Sequence, residues 1–133
     1  MRSTMRRAAL AALLALGAGG APAHHSAAAY DLMHVVQQKG VLTEFHFENP
    51  HVRFVLTVKD AQGQAQVWNI EGAPPGWFRH AGIARADFLK GVGNPVTIEL
   101  HPAKDGSPSG FFQQITFADG TFIRFSDTLQ QQP

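Results

Sequence analysis

The chain has 133 residues and no cysteine, and 11 lysine and arginine residues against 10 acidic residues give it a formal net charge of +1. Without cysteine it forms no disulfide, thiolate metal site or iron–sulfur cluster, so packing must supply its stability. Its weak charge offers little attraction for nucleic acid, which favours basic patches, and we therefore expect no nucleic-acid partner.

The first 23 residues have the three parts of a secretory signal peptide. Arg2, Arg6 and Arg7 precede an apolar, alanine-rich run, and Ala21 and Ala23 are the small residues of a cleavage site. The apolar run is shorter than the roughly 20 residues that span a membrane. We expect a periplasmic or secreted protein without a membrane anchor, and an uncleaved amino-terminal anchor is the alternative.

Cleavage would leave about 110 residues, enough for one small domain with a single core. The mature part would keep eight basic residues against ten acidic ones, a formal net charge of −2. We divide the chain into a signal peptide (1–23), an amino-terminal lead-in (24–38), a barrel domain (39–126) and a flexible tail (127–133). We expect a monomer.

Alternating apolar and polar residues predict strands over residues 40–48 and 51–59, joined at Asn49-Pro50. In an even register, four pairs form an apolar face: Phe47 with Val52, Phe45 with Phe54, Thr43 with Leu56, and Val41 with Val58. The opposite face carries polar side chains: Glu44, His46, Glu48, His51, Arg53 and Thr57. A slip of one residue would destroy this separation, so the register should be well specified.

The same reasoning predicts the remaining elements. Residues 66–72 form a third strand with Trp68 and Ile70 in the core, and a short helix runs from Pro75 to Ala81. Residues 85–93 contain a helical turn anchored by Phe88 and Leu89. Residues 94–103 form a fourth strand, and residues 111–126 form a hairpin with Asp119-Gly120 at its tip.

This order of elements predicts an all-β domain with one short helix. Three consecutive strands, a helix and then two or three further strands suit a five- to six-stranded OB-like Greek-key barrel. An open antiparallel sandwich of similar size is the alternative.

Several short motifs resemble one family of small exported bacterial proteins of unknown function. These motifs are His-His-Ser at residues 24–26, the Asn49-Pro50-His51 turn, "VWNIEG" at 67–72, "LKGVGNPVT" at 89–97 and "KDGSPSG" at 104–110. The resemblance runs over most of residues 24–120, although the sequence of the helical segment, "PPGWFRHAGIARADF", differs from the family pattern. The resemblance implies that the protein is exported and indicates the extent of the domain. It does not imply a reaction, because none is established for the family.

Four of the seven histidines lie in two short segments of the chain, at His24 and His25 and at His46 and His51. Side chains on one face of two neighbouring strands lie about 4.5–8 Å apart, which suits ligands of a single ion. Imidazole is a good ligand for copper, zinc and nickel. These four histidines are therefore candidate metal ligands, with Glu48 fixing which ring nitrogen faces the ion. A solvated polar face is the alternative interpretation.

The position of cleavage decides how the amino terminus could bind metal. A cut after Ala23 makes His24 the first residue, so its amine and its ring can chelate copper(II) together. A cut after Ala21 instead gives Pro22-Ala23-His24, in which the amine, two backbone amides and the His24 ring form a square-planar site. Protonated imidazole does not coordinate, so binding should weaken below about pH 6.5.

Enzymatic motifs are missing from the sequence. It contains no glycine-rich phosphate loop, no G-x-S-x-G motif and no H-E-x-x-H motif. Glu48 and Glu71 could form a carboxylate pair for glycoside hydrolysis, but two glutamates on a sheet are only a weak indication of that activity. We predict a non-enzymatic binding domain that takes a metal ion, with copper as the candidate cofactor. The alternative is a metal-free adaptor or small-ligand-binding barrel, in which Trp77 and Phe78 line a groove for a ligand or a protein partner.

Overall fold

The structure of the protein, a computed structural model, describes residues 27–126. Within that range it contains one 3-10 helix, six strands and two α-helices: Ala27–Ala29, β1 (Val36–His46), β2 (Arg53–Lys59), β3 (Ala65–Glu71), α1 (Pro75–His80), α2 (Arg85–Leu89), β4 (Pro95–Pro102), β5 (Ser109–Phe117) and β6 (Phe122–Arg124). The predicted signal peptide, His24, His25 and the predicted tail lie outside the described residues.

The strands form a closed barrel. Their order in the sheet is β3-β2-β1-β4-β5-β6, and a parallel pairing between β3 and β5 closes the first five strands on themselves. The short β6 is an extra strand on the second half of β5. The predicted OB-like Greek-key barrel is therefore confirmed, in place of the open sandwich. Among residues 27–126, no helix is long and apolar enough to cross a membrane.

A β-bulge in β1 changes the register predicted for the first hairpin. Phe45 faces Phe54 as predicted, but the register shifts between Leu42 and Glu44, so that Leu42 faces Leu56. The predicted pairs Thr43–Leu56 and Val41–Val58 are wrong. Because the bulge holds one extra residue, Leu42 and Phe45 both point into the core, while Thr43 turns outward and donates its hydroxyl to the carbonyl of Val55.

The barrel core is dominated by phenylalanine. Phe54 stacks on Phe112 with ring centroids 4.6 Å apart, and the two short helices supply Phe78 and Phe88, whose rings meet edge to face at 5.4 Å. All four of these side chains are fully buried. The helices between β3 and β4 therefore complete the core instead of lying on its surface.

The prediction that Phe78 lines a ligand groove is wrong. Phe78 is fully buried and packs against the barrel, so it cannot contact a ligand. Trp77 is half-buried and stacks on Phe125, with centroids 5.9 Å apart and planes 10° from parallel. The helix uses its aromatic residues for packing, and its buried Pro75 adds a further apolar side chain.

Some boundaries and burial also differ from the prediction. β1 begins at Val36, before the predicted start of the barrel domain, and the predicted helical turn is a second α-helix. Leu89 in that helix is 36% exposed, so Phe88 alone anchors it. The Asp119-Gly120 hairpin is present, with Gly120 at φ 85°.

The core assignment predicts a large loss of stability for Phe54→Ala. Truncating a buried phenylalanine removes apolar contacts and leaves a cavity, which costs about 3–5 kcal/mol of unfolding free energy. Phe122→Ala is the matched control, because this ring is 52% exposed and should cost about 1 kcal/mol or less. Chemical denaturation of both variants measures the difference, and equal midpoints for the two would contradict the assigned core.

Candidate functional site

A cleft of about 480 Å³ opens beside the turn between β1 and β2. Its wall includes the predicted residues His46, Glu48 and His51, and it also includes Tyr30 from the amino-terminal segment and Glu71 from the end of β3. The turn contains a cis Asn49-Pro50 peptide bond. The first hairpin therefore brings its two histidines into one cavity, as the sequence predicts.

Backbone contacts fix the turn against the end of β3. The amide of Val52 donates to the carbonyl of Ala73 at 3.0 Å, and the amide of Gly72 donates to the carbonyl of Val52 at 2.9 Å. Val52 is fully buried, and a Cβ at Gly72 would lie 2.6 Å from its side chain. This close approach requires glycine at position 72, and it holds His51 beside Glu71.

A charged row crosses three strands at the cleft. Arg53 on β2 pairs with His46 on β1 and with Glu71 on β3. Directly opposed residues of neighbouring antiparallel strands have their Cβ atoms about 4.5–5.5 Å apart. Strand register alone therefore brings an imidazole, a guanidinium and a carboxylate together on the outside of the barrel.

Glu71 joins two aromatic side chains through its two carboxylate oxygens. One oxygen lies 2.5 Å from Nδ1 of His51, and the other accepts a hydrogen bond of 3.0 Å from the hydroxyl of Tyr30. An ionised carboxylate only accepts hydrogen bonds, so the tautomer of a neutral His51 ring that suits this contact has its proton on Nδ1. The neutral ring then keeps Nε2 as its unprotonated nitrogen, the one able to bind a ligand.

Tyr30 fixes the amino-terminal segment to the barrel. Its side chain is 5% exposed and its ring lies 6.0 Å from that of Phe111. It forms an isolated bridge with Ala103, and the amide of Asp31 donates to the carbonyl of Pro102 at 2.9 Å. Burial and the negative charge of Glu71 raise the pKa of the Tyr30 hydroxyl above its usual value.

His46 lies between two carboxylates. Its Nε2 is 2.9 Å from Glu44 and its Nδ1 is 3.5 Å from Glu48. Both ring nitrogens therefore face a carboxylate. One of these two contacts must be replaced by a contact with the ion before His46 can bind it. Glu48 lies beside a histidine as predicted, whereas Glu71 takes the equivalent place beside His51.

The described residues alone do not form a complete metal site. Over residues 27–126, no group of three or more histidine, aspartate and glutamate side chains has an arrangement that could hold an ion. The predicted ligands His24 and His25 lie outside that range. Any metal bound at this cleft needs ligands in addition to His46 and His51.

Two residues of the site, Tyr30 and the cleft-facing Glu71, were not among the predicted site residues. Glu71 and Asn69 are two residues apart and therefore share the polar face of β3. This alternation could have placed Glu71 beside Arg53 once the pairing of β2 with β3 was known. Tyr30 has no such pattern, since it lies in a short segment before the first strand and contacts a residue 41 positions away.

The sequence matches a family model described as "Family of unknown function (DUF6152)" over residues 11–113. The chain belongs to this family. No curated protein matches the chain. A solved structure of the mitochondrial single-stranded DNA binding protein Rim1 from S. cerevisiae is similar to it, with a TM-score of 0.44 and 18% sequence identity. That match covers 64% of this DUF6152 chain and 94% of the other chain.

Tyr30 is the sole tyrosine of the chain, so tyrosinate absorbance reports its titration directly. We expect ionisation only above the ordinary value of about pH 10, because burial and Glu71 favour the neutral hydroxyl. Glu71→Gln should lower the midpoint, and Glu99→Gln, a carboxylate outside the cleft, should not. Since the raised pKa belongs to the folded state, stability should fall as pH rises above about 10. A parent midpoint at or below 10 would contradict the Tyr30–Glu71 contact.

Proposed function

We propose that this member of DUF6152 is an exported, non-enzymatic binding domain that takes a copper(II) ion at the cleft. In this proposal the ion is bound by Nε2 of His51 and by the histidines at the start of the mature chain, His24 and His25. Export is supported by the basic, apolar and small-residue succession of residues 1–23.

The observation that carries the proposal is the Glu71–His51 contact of 2.5 Å. Histidines that bind metals almost always donate their other ring N–H to a carboxylate, a carbonyl or a water, which fixes the tautomer and makes the ligating nitrogen more basic. Glu71 gives His51 this arrangement at the wall of an open cleft, and Tyr30 holds the carboxylate from its other side.

The sequence position of Tyr30 supports the other ligands. Tyr30 lies in the cleft wall, and His25 precedes it by five residues. Consecutive Cα atoms are 3.8 Å apart, and Ala27–Ala29, three of the four intervening residues, are a 3-10 helix, so His25 is joined to the cleft by a short stretch of chain. A cut after Ala23 would add the amine of His24 to the donor set.

Copper(II) fits the chemistry of these donors better than other divalent ions do. Nitrogen ligands bind copper(II) more tightly than manganese, iron, cobalt, nickel or zinc in the same site. The carboxylates of Glu44, Glu48 and Glu71 add negative charge around the cleft, and this favours a cation. His46 would join the ligands only after one of its ring nitrogens loses its contact with Glu44 or Glu48.

A metal-free ligand-binding barrel is the second candidate function. It is favoured by the incomplete donor set of residues 27–126 and by a cleft volume of about 480 Å³, which suits a small organic molecule. In this function, His51, Glu71 and Tyr30 would form a hydrogen-bonded wall for the ligand. With either function we expect a monomer. We also expect no nucleic-acid partner, because the mature chain would have a formal net charge of −2.

Copper(II) affinity tests the proposal, measured by chelator competition on protein that begins at His24. We expect His51→Ala to weaken binding at least about tenfold, because it removes the ligand that Glu71 orients. His80→Ala is the matched control, since this exposed histidine on α1 lies outside the cleft wall. An extra residue before His24 should also weaken binding, and affinity should fall below about pH 6.5.

Coupling between the two segments is the stricter test. If His24 and His51 bind one ion, the losses caused by His24→Ala and His51→Ala should not add in the double variant. Equal copper affinity of the double variant and the parent would overturn the metal proposal. The metal-free function would then be the better account of the cleft.

A further inference from the structure

Arg53 is a charged group of the cleft wall that the proposed copper site does not use. Its side chain lies between His46 and Glu71 in the row across β1, β2 and β3. Within the part of the chain that the structure describes, it forms none of the ion pairs, although the carboxylates of Glu48 and Glu71 line the same cleft. An exposed arginine in this position keeps its hydrogen-bond donors for another molecule.

The neighbouring carboxylates leave Arg53 free because their own contacts are made elsewhere. Both oxygens of Glu71 are taken, one by His51 and the other by Tyr30. Glu48 contacts Nδ1 of His46 at 3.5 Å. Glu71 therefore reduces the local positive charge without forming an ion pair with the guanidinium of Arg53.

Asn69 adds a second polar group at the same place. It lies two residues before Glu71 on β3, so both side chains point to the same face of the sheet. Glu71 is directly opposite Arg53, which makes Asn69 a diagonal neighbour of Arg53 at about 7–8 Å between Cα atoms. Both side chains line the cleft, and the side-chain amide of Asn69 offers two further donors.

The cleft is also much larger than one ion needs. Its volume is about 480 Å³. A water molecule occupies about 30 Å³ in the liquid, so a metal ion with one or two waters fills only a small part of this space. Arg53 and Asn69 are among the residues that line this volume.

We propose that Arg53 and Asn69 form a subsite for the carboxylate of a small ligand. The planar guanidinium presents two parallel N–H donors that match the two oxygens of a carboxylate, and the Asn69 amide supplies a further donor. The negative charges of Glu48 and Glu71 disfavour ligands with several charges, so the subsite selects a small monocarboxylate. This site does not depend on bound metal and goes beyond the proposed function.

Acetate is the probe for this subsite, added to metal-free, isotope-labelled protein and followed by amide chemical shifts. We expect saturable shifts at Arg53, Asn69 and Glu71 that sodium chloride at the same ionic strength does not produce. Arg53→Gln should weaken acetate binding by about tenfold or more, since charge-assisted hydrogen bonds to a carboxylate are the strong ones. Arg53→Lys, which keeps the charge but loses the fork, should fall between the parent and Arg53→Gln.

Arg85→Gln is the matched control. Arg85 is an exposed arginine at the start of α2, outside the cleft wall, so its loss should leave acetate binding unchanged. Acetate shifts that equal those caused by chloride, or equal affinities of Arg53→Gln and the parent, would overturn the subsite. Because no metal is present, this result is separate from the copper titration, and failure of either proposal leaves the other standing.

Discussion

Glu71 is the residue on which the arrangement of the cleft depends. Its carboxylate contacts His51 in the turn after β1 and Tyr30 in the segment before β1, so one side chain joins two parts of the chain that flank the same strand. A partly buried carboxylate is costly unless it is hydrogen-bonded, and these two contacts meet that cost. The contact with Glu71 also favours the tautomer of His51 that has its proton on Nδ1.

The barrel positions Glu71 through β2, the strand that pairs with both β1 and β3. Phe54 and Leu56 point from β2 into the core, and Arg53 and Val55 point outward. Because side chains alternate, burying one set obliges the other set to form the outer row. The phenylalanine core therefore fixes the place of Arg53, and strand pairing then fixes its neighbours. Stability and the candidate site use opposite faces of the same strand.

The sequence was sufficient to predict the strands and much of this alternation, because apolar residues at a period of two are a local pattern. It could not reveal the bulge at Thr43, because the bulge is a property of the paired strands, in which the Thr43 hydroxyl donates to the Val55 carbonyl. It failed at Phe78 because aromatic residues look alike whether they line a groove or fill a core. It missed Tyr30 because the contact with Glu71 is long-range.

The contacts within the cleft leave two groups with opposite requirements. The carboxylates of Glu44 and Glu48 face His46, and Glu71 is shared by His51 and Tyr30, so the negative groups are already engaged. Nε2 of His51 remains as a lone-pair donor that suits a cation, and the guanidinium of Arg53 remains as a cation that suits an anion. A single small molecule or ion with one type of group satisfies only one of them. The two proposals therefore concern different groups of one cleft, a cation at His51 and a carboxylate at Arg53, and the opposite charges of two such species would attract each other across it.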